Sequence, residues 1–290
     1  IMRADTGTEV TLGELMAGGA TDIPVWALDD SLRYVQSMMT HVFPTGRKEV
    51  FRVRTASGRV LEATASHPML TYGGWKPLGE LPVGSRLAIP RHVPAPDQET
   101  SDWSDDQVIV LAHMIGDGSV IARQPIRYAT KDPANIEVMT TASARAFDIR
   151  VSRDDYEKAR CTTLRFTSLR PVTHGVRNPI AAWMDELGLF DKRSHEKFVP
   201  ESVFSLPKRQ IALFLRHLWA TDGSIQVLRN GRGGRIYYAT TSRRLADDVA
   251  RLLLRFGLNA RIRVARKSGY RDGYHVDVSG AADQKVFLRR

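Results

Sequence analysis

Two aspartates occupy matching places in the chain and could act together on a metal ion. Asp117 and Asp222 each precede a glycine, each follow apolar residues at helical spacing, and lie 105 residues apart. If two such helices pack side by side, their ends bring the two carboxylates together. Carboxylate oxygens are the ligands that Mg²⁺ prefers, so the pair predicts metal-assisted hydrolysis of a phosphodiester.

The residues around each aspartate predict how the two helices meet. Small residues in the two stretches, Ala112, Gly116 and Ala220, favour a close approach of the backbones. We expect the glycine after each aspartate to let the chain leave its helix in a conformation closed to other residues. A single Asp-Gly is an ordinary helix end, but its repetition in matching contexts favours metal binding.

Similar elements are predicted after both Asp-Gly pairs, in the order helix, two strands, helix, two strands. The first copy spans about 105–168, a connector spans 169–206, and the second copy spans about 207–280. Asp132 and Ser242 are expected to cap the second helix of each copy. The alternation of helices and strands predicts an α+β fold with an internal repeat.

The residues before the repeat have a different character. Residues 1–93 show short alternating runs between glycine-containing turns, which predict an all-β segment with one short helix, and the proline-containing stretch 94–104 predicts a linker. The first 100 residues carry a net charge of −1 and residues 101–290 carry +11, which together give the total of +10. The second part is therefore the candidate binder of a polyanion.

Composition excludes several classes of protein. The single cysteine excludes an internal disulfide and a cysteine-based zinc cluster, and it fits a reducing compartment. The sequence contains no apolar stretch long enough to cross a membrane and does not begin with the pattern of a signal peptide. We therefore expect a cytoplasmic protein without a membrane partner.

The two motif stretches, Val110–Gly118 and Leu215–Gly223, resemble the two LAGLIDADG motifs of single-chain homing endonucleases. The resemblance implies that the motif helices pack at a pseudo-twofold axis and that the strands form saddles in the major groove of double-stranded DNA. It also implies a monomer in which Asp117 and Asp222 are catalytic and, with Gly116 and Thr221, hold Mg²⁺. Ile115 and Ala220 depart from a motif position that is often acidic.

The same resemblance implies roles for basic residues. Leu189–Phe204, which includes Lys192, His195 and Lys197, resembles the segment that precedes the second motif in endonucleases carried by inteins. Lys267 is expected near the scissile phosphates as a catalytic residue, and the alternative is a plain phosphate contact or a solvated surface charge. His113 and His217 are expected to pack or hydrogen bond within the helix pair, and the alternative for His113, four residues before Asp117, is metal ligation. The residues expected to bind DNA are Arg229, Arg232, Arg235, Tyr237, Arg261, Arg263 and Arg266.

The stretch Arg59–Leu70 resembles an intein block with a Thr-x-x-His pattern, and Leu78–Gly84 resembles the stretch that follows it. The resemblance implies a splicing domain of the Hint type over residues 1–93, in which Thr64 and His67 polarise the upstream peptide bond and protonate its departing nitrogen. Inteins within actinobacterial replicative DNA helicases look most similar. The partners would be the flanking host segments, the exteins, in cis.

Splicing needs groups that residues 1–290 do not contain. These are an N-terminal Cys or Ser, a C-terminal His-Asn pair and a following nucleophile. Residues 281–290 are expected to begin a further C-terminal region. We therefore expect that this stretch alone does not splice.

The sequence leaves two other functional hypotheses open. One is a catalytically inactive LAGLIDADG-type protein that binds DNA or RNA, such as a maturase or a transcription regulator, for which binding would be independent of metal. The other is a free-standing homing endonuclease, which would leave Thr64 and His67 unexplained.

Overall fold

The structure is a computed structural model that describes residues 1–97, 102–156, 161–171, 176–227 and 234–289. Part of the predicted linker 94–104 therefore lies outside the described residues, as do Arg229 and Arg232. Mixed helices and sheets confirm the α+β class. Within the described ranges, no helix is long and apolar enough to cross a membrane.

The N-terminal part is built from three antiparallel hairpins, β1 with β2, β3 with β4 and β5 with β6. The one helix predicted here is present, and Thr11 caps it through a reciprocal hydrogen-bond pair with Glu14. These elements are α1 (Leu12–Ala17), β1 (Ile23–Leu28), β2 (Tyr34–Met39), β3 (Val50–Arg54), β4 (Val60–Thr64), β5 (Pro68–Thr71) and β6 (Gly74–Pro77).

The first copy of the repeat has the predicted order of elements. Asp132 accepts from the Ala134 N–H at 2.9 Å, which confirms it as a helix cap, with Pro133 at the first helical position. The elements are α2 (Asp105–Gly116), β7 (Gly118–Ser119), β8 (Arg127–Thr130), α3 (Pro133–Ala146), β9 (Ile149–Tyr156) and β10 (Cys161–Ser168). The connector that follows contains α4 (Pro179–Glu186) and α5 (Glu201–Phe204).

The second copy repeats this order, and Ser242 caps its second helix through the Leu245 N–H at 3.1 Å. Its sheet, β11-β12-β14-β13, has the same spatial arrangement as β7-β8-β10-β9 in the first copy. The elements are α6 (Lys208–Asp222), β11 (Gly223–Val227), β12 (Gly234–Thr240), α7 (Arg243–Leu254), β13 (Arg261–Ala265) and β14 (Gly273–Val278).

A further helix, α8 (Ala281–Leu288), follows the second sheet. Its Phe287 ring lies 4.8 Å from the Trp219 ring of α6, so residues 281–288 pack on the second copy of the repeat. In the first copy, α4 also follows the sheet, and Trp183 of α4 contacts Phe147 at 5.1 Å. The predicted domain boundaries at 93, 105 and 280 remain predictions.

One hydrophobic core joins the two copies of the repeat. Helices α2 and α6 pack directly against each other, and most of α2 is buried, including Leu111 and Met114. Ser104 caps α2 with a reciprocal pair to Gln107, whereas Pro207 precedes α6. Because both motif helices lie inside the core, their ends are held by packing on several sides.

The tip of the β3–β4 hairpin contacts the second sheet. The Ile262 N–H donates to Ser57 O at 2.7 Å, and the Arg243 guanidinium donates to Gly58 O at 2.9 Å. Gly58 has φ +84°, and a Cβ there would overlap the Ile262 carbonyl. This position therefore needs glycine both for its backbone conformation and for the close approach.

Candidate metal centre and nucleic-acid interface

Asp117 and Asp222 lie at the ends of the two packed helices, as the repeat predicts. Asp117 caps α2 by donating its backbone N–H to His113 O at 3.0 Å, and Asp222 is the last residue of α6. Strands β7 and β11 begin at the next residue in each case. The two carboxylates therefore occupy equivalent positions between a core helix and the first strand of a sheet.

The glycines after the aspartates are needed for a different reason from the one predicted. Gly223 has φ −80°, and Gly118 is not among the residues with positive φ, so neither requires a conformation closed to other residues. A Cβ at Gly118 would instead crowd Met114, and a Cβ at Gly223 would overlap Trp219. The prediction of a left-handed exit was wrong, because the requirement is space beside the last helical turn.

The helices approach each other closely just before the aspartates. A Cβ at Gly116 would overlap the side chain of Thr221 from the opposite helix. The Thr221 hydroxyl donates to Leu218 O of its own helix at 2.6 Å, and the Asn135 amide donates to Ala220 O at 2.9 Å. The close approach predicted from small residues is therefore present, while the metal roles of Gly116 and Thr221 stay predictions.

The pair of carboxylates is electrostatically costly. Asp222 as a whole residue is exposed, but desolvation of its carboxyl by the surrounding protein raises its pKa to about 6, and the charge of Asp117 adds to this effect. Burial also raises the pKa of Asp117. Both groups are thus shifted toward the neutral form, which a nearby cation would reverse.

Lys197 supplies one such cation, and the sequence did not predict its position beside the aspartates. Its side chain is only 8% exposed, and Nζ donates to three carbonyls at the end of α2: Met114 O at 3.0 Å, Gly116 O at 3.2 Å and Gly118 O at 2.8 Å. Burial lowers the pKa of Lys197 to about 8, while Asp222 and Asp117 act in the opposite direction. The resemblance of Leu189–Phe204 to an endonuclease segment assigns no role to this residue.

Lys267, by contrast, lies in the exposed loop between β13 and β14. Its Nζ is 4.4 Å from the centre of the Tyr270 ring, and no contact joins it to either aspartate among the described residues. The catalytic role expected for Lys267 stays a prediction. Lys197 is the lysine that interacts with the aspartates in the described part of the chain.

One face of the second sheet carries polar and basic side chains. The strand register places Tyr237 opposite Asp277 and His275 opposite Arg263, while Ile236 and Tyr238 point to the core. Asp277 is 4% exposed and accepts from Arg263 at 2.5 and 2.7 Å and from Arg235 at 3.1 Å. The residues on this face are Ser224, Gln226, Arg235, Tyr237, Arg261, Arg263, His275 and Asp277.

The predicted DNA-binding residues therefore differ in their charge environment. The guanidiniums of Arg235 and Arg263 are paired with Asp277, whereas Arg261 is exposed and forms no ion pair with any residue in the described ranges. Arg266 is exposed and 3.9 Å from Asp272. Arg235 also stacks over Tyr237, with its guanidinium carbon 4.2 Å from the ring centre.

The first sheet carries a corresponding basic face that was not predicted. Arg127 and Arg165 are opposite each other in the register of β8 and β10, and Arg150 lies opposite Thr167. Arg165 forms an ion pair with Asp154 at 2.5 Å. The alternation of the polar residues Thr163, Arg165 and Thr167 with buried residues along β10 was the signal that could have identified this face.

Thr64 and His67 share one turn at the end of β4. The His67 N–H donates to Thr64 O at 3.0 Å, and the Thr64 hydroxyl lies 3.3 Å from that of Ser66. The His67 carbonyl accepts from the Leu78 N–H at 2.9 Å, which ties this turn to the stretch that follows β6. The Thr-x-x-His pattern therefore folds as a tight turn held on both sides.

A family model described as a LAGLIDADG-like domain matches residues 209–290. The whole chain is similar to the replicative DNA helicase DnaB of Nostoc sp., with 36% identity over 99% of this chain, and it spans about a third (32%) of that helicase.

Two solved structures also match. One is the Ssp DnaB mini-intein variant M86, with 36% identity, 32% of this chain, 57% of that chain and a TM-score of 0.30. The other is a mesophilic variant of the homing endonuclease I-DmoI, with 14% identity, 63% of this chain, 93% of that chain and a TM-score of 0.45.

Four observations agree on the family. The motif helices of the two copies pack together and end in aspartates, the Thr-x-x-His turn precedes them, and the family match falls on the second copy. The similarity to a helicase sequence extends across both parts of the chain. The chain belongs to the inteins that carry a LAGLIDADG-type endonuclease domain.

Proposed function

We propose that this chain cuts double-stranded DNA at a specific site, by metal-assisted hydrolysis of phosphodiesters, as the homing endonuclease part of an intein. One observation carries the proposal: two helices of the core end in carboxylates close enough for the charge of Asp117 to raise the pKa of Asp222. Such a pair costs free energy in the fold, and a divalent cation would remove that cost. Since one chain contains both copies of the repeat, a monomer suffices.

The donor set fits Mg²⁺ bound together with its substrate. Among the described residues, no group of three or more His, Cys, Asp and Glu could hold a metal, so Asp117 and Asp222 would be the protein's anionic ligands. Mg²⁺ commonly takes one or two carboxylates and completes its shell with water and phosphate oxygens. When bound, it would polarise the phosphodiester and lower the pKa of a bound water.

The protein's own residues would orient the DNA around this pair. The basic faces of the two sheets, which include Arg165 and Arg261, would contact phosphates and base edges on either side of the helix ends. Lys197, held by three carbonyls, would keep positive charge beside the carboxylates. The runner-up function, a binding protein that no longer cuts, needs neither this carboxylate pair nor a metal.

We expect Asp117→Asn and Asp222→Asn each to abolish Mg²⁺-dependent cutting, because each removes a charged ligand of the metal. The loss should be at least about 100-fold, while DNA affinity stays close to wild type. The measurement is cleavage of a plasmid that carries the insertion site without the intein, with Mg²⁺ or EDTA. Asp185→Asn is the matched control, since Asp185 is an exposed aspartate paired with Arg177. Tight wild-type binding without cutting, unchanged by EDTA, would instead establish the binding-only function.

We expect Asp222→Asn to stabilise the metal-free protein at neutral pH. The pKa of Asp222 is raised from 3.8 to about 6, so the folded chain holds this proton more tightly than the unfolded chain. The resulting stability is complete below pH 3.8 and is lost as the pH rises through about 6. The Tm of the variant minus that of the wild type, measured in EDTA, should increase as the pH rises from 3.8 to about 6. Mg²⁺ should then raise the Tm of the wild type more than that of the variant, and equal responses would contradict the site.

Two arginines on β13 should affect DNA binding differently. Arg261→Gln should lower the slope of log affinity against log salt by about 1, because it removes one phosphate contact without disturbing an ion pair. Arg263→Gln should also lower the Tm, because it leaves the buried Asp277 with Arg235 alone. Binding titrations over a range of salt and thermal unfolding measure both effects. An unchanged slope for Arg261→Gln would remove this face from the interface.

We further propose that Thr64 and His67 activate the peptide bond upstream of residue 1 when host sequence and a splicing nucleophile precede it. The shared turn places the two residues side by side, as a polarising group and a proton donor require. In a precursor with such an N-terminal junction, His67→Ala should block thiol-induced cleavage there, and Ser66→Ala should not. Equal cleavage in both variants would exclude His67 from this step.

A further inference from the structure

A hydrogen-bonded chain of three side chains crosses the helix pair beneath the aspartates. His113 Nε2 of α2 lies 3.0 Å from His217 Nδ1 of α6, and His113 Nδ1 lies 2.9 Å from the Tyr128 hydroxyl of β8. His113 is fully buried and His217 is partly buried. None of the three side chains takes part in the proposed metal centre, so the hydrogen bonds between them require another explanation.

We propose that the hydrogen bond between His113 and His217 fixes the axial register of the two motif helices and so positions Asp117 relative to Asp222. This inference rests on the proposed endonuclease function. His113 is one helical turn before Asp117 and accepts that residue's N–H through its carbonyl. His217 lies five residues before Asp222 on the partner helix. The two imidazoles therefore tie together the turns that carry the carboxylates.

The contact at Gly116 and Thr221 cannot set the register alone. Van der Waals contact at a glycine limits how closely two helices approach, but it tolerates small sliding movements along the axis. A slip of one residue moves a helical position by 1.5 Å along the axis and 100° around it, which would break a 3.0 Å hydrogen bond. The directional bond between the imidazoles adds the constraint that packing lacks.

Both imidazoles are neutral at physiological pH. Burial lowers the pKa of His113 to about 3, with His217 as a second cause, and burial followed by the nearby Arg216 lowers the pKa of His217 to about 4. A neutral imidazole has one N–H, so the pair forms one hydrogen bond with a donor on one side and an acceptor on the other. No net charge is buried, and the link can persist without a counter-ion.

The pair does not repeat in the second copy. Relative to its aspartate, the position equivalent to His113 is Leu218, and the position equivalent to His217 is Ala112. Tyr238, which faces Gly223 as Tyr128 faces Gly118, contacts Trp219 at 5.5 Å between ring centres. The equivalent positions, Ala112 and Leu218, carry apolar residues, which indicates that the polar link is not required for packing alone.

The test compares three variants. Two are the single substitutions His217→Asn and His217→Leu, and the third is a double variant that combines His113→Leu and His217→Leu. An asparagine amide can occupy the place of Nδ1 and keep the bond, whereas leucine of similar shape cannot. The double variant leaves no buried imidazole without a partner, and the Tyr128 hydroxyl, which loses His113, keeps its hydrogen bond with Thr130, so the variant should fold with a Tm near wild type. Ile180→Val, at a fully buried position in α4, controls for small losses of core packing.

We expect the leucine variants to lower kcat for cleavage about 10- to 100-fold with unchanged DNA affinity, and His217→Asn to retain most of the rate. Amide hydrogen exchange at Asp117 and Gly223, whose N–H groups bond to His113 O and Trp219 O, should be faster in the leucine variants only. Wild-type cleavage and exchange rates in the double variant would overturn the inference. A wild type that does not cut overturns the proposed function instead, and the exchange rates still decide the positioning role.

Discussion

The contact between α2 and α6 at Gly116 and Thr221 is the constraint on which the rest of the structure depends. Because Gly116 has no side chain and leaves room only for that of Thr221, the last turns of the helices lie side by side and their two sheets share a common core. The same closeness brings Asp117 and Asp222 within each other's electrostatic influence. The helix packing therefore creates the unfavourable charge pair as long as both helices end in aspartate.

The connector between the repeats compensates part of this cost. Lys197 enters beneath the end of α2 and places an ammonium among carbonyls that carry the negative end of the helix dipole. Its own segment is fixed in turn, because the Ser242 hydroxyl donates to Lys197 O at 2.6 Å and the Val199 N–H donates to Asp248 at 2.9 Å. The second copy of the repeat thus holds the cation that serves the helix end of the first.

Local sequence signals predicted the helices, the strands and the placement of Asp117 and Asp222, because periodicity and caps such as Asp132 act within a few residues. Lys197 could not be predicted in this way, since it is 80 residues from Asp117 and its role depends on tertiary packing. The burial of Asp277 between two arginines was missed for the same reason. The reason for glycine at position 118 was predicted wrongly, because a positive φ angle and a lack of space for a side chain both appear in the sequence simply as a glycine.

Fusion of the two copies in one chain lets symmetric backbones carry different side chains. In a symmetric dimer, a contact between residues i and j would occur twice, so a histidine pair at the helix contact would be duplicated across the axis. Here it occurs once, with Ala112 and Leu218 at the other two positions. The sheets differ in the same way, because Asp277 neutralises two arginines in one and Asp154 pairs with one arginine in the other. The two sheets therefore offer unlike surfaces, and their fusion in one chain maintains that difference while keeping both carboxylates at the contact between the helices.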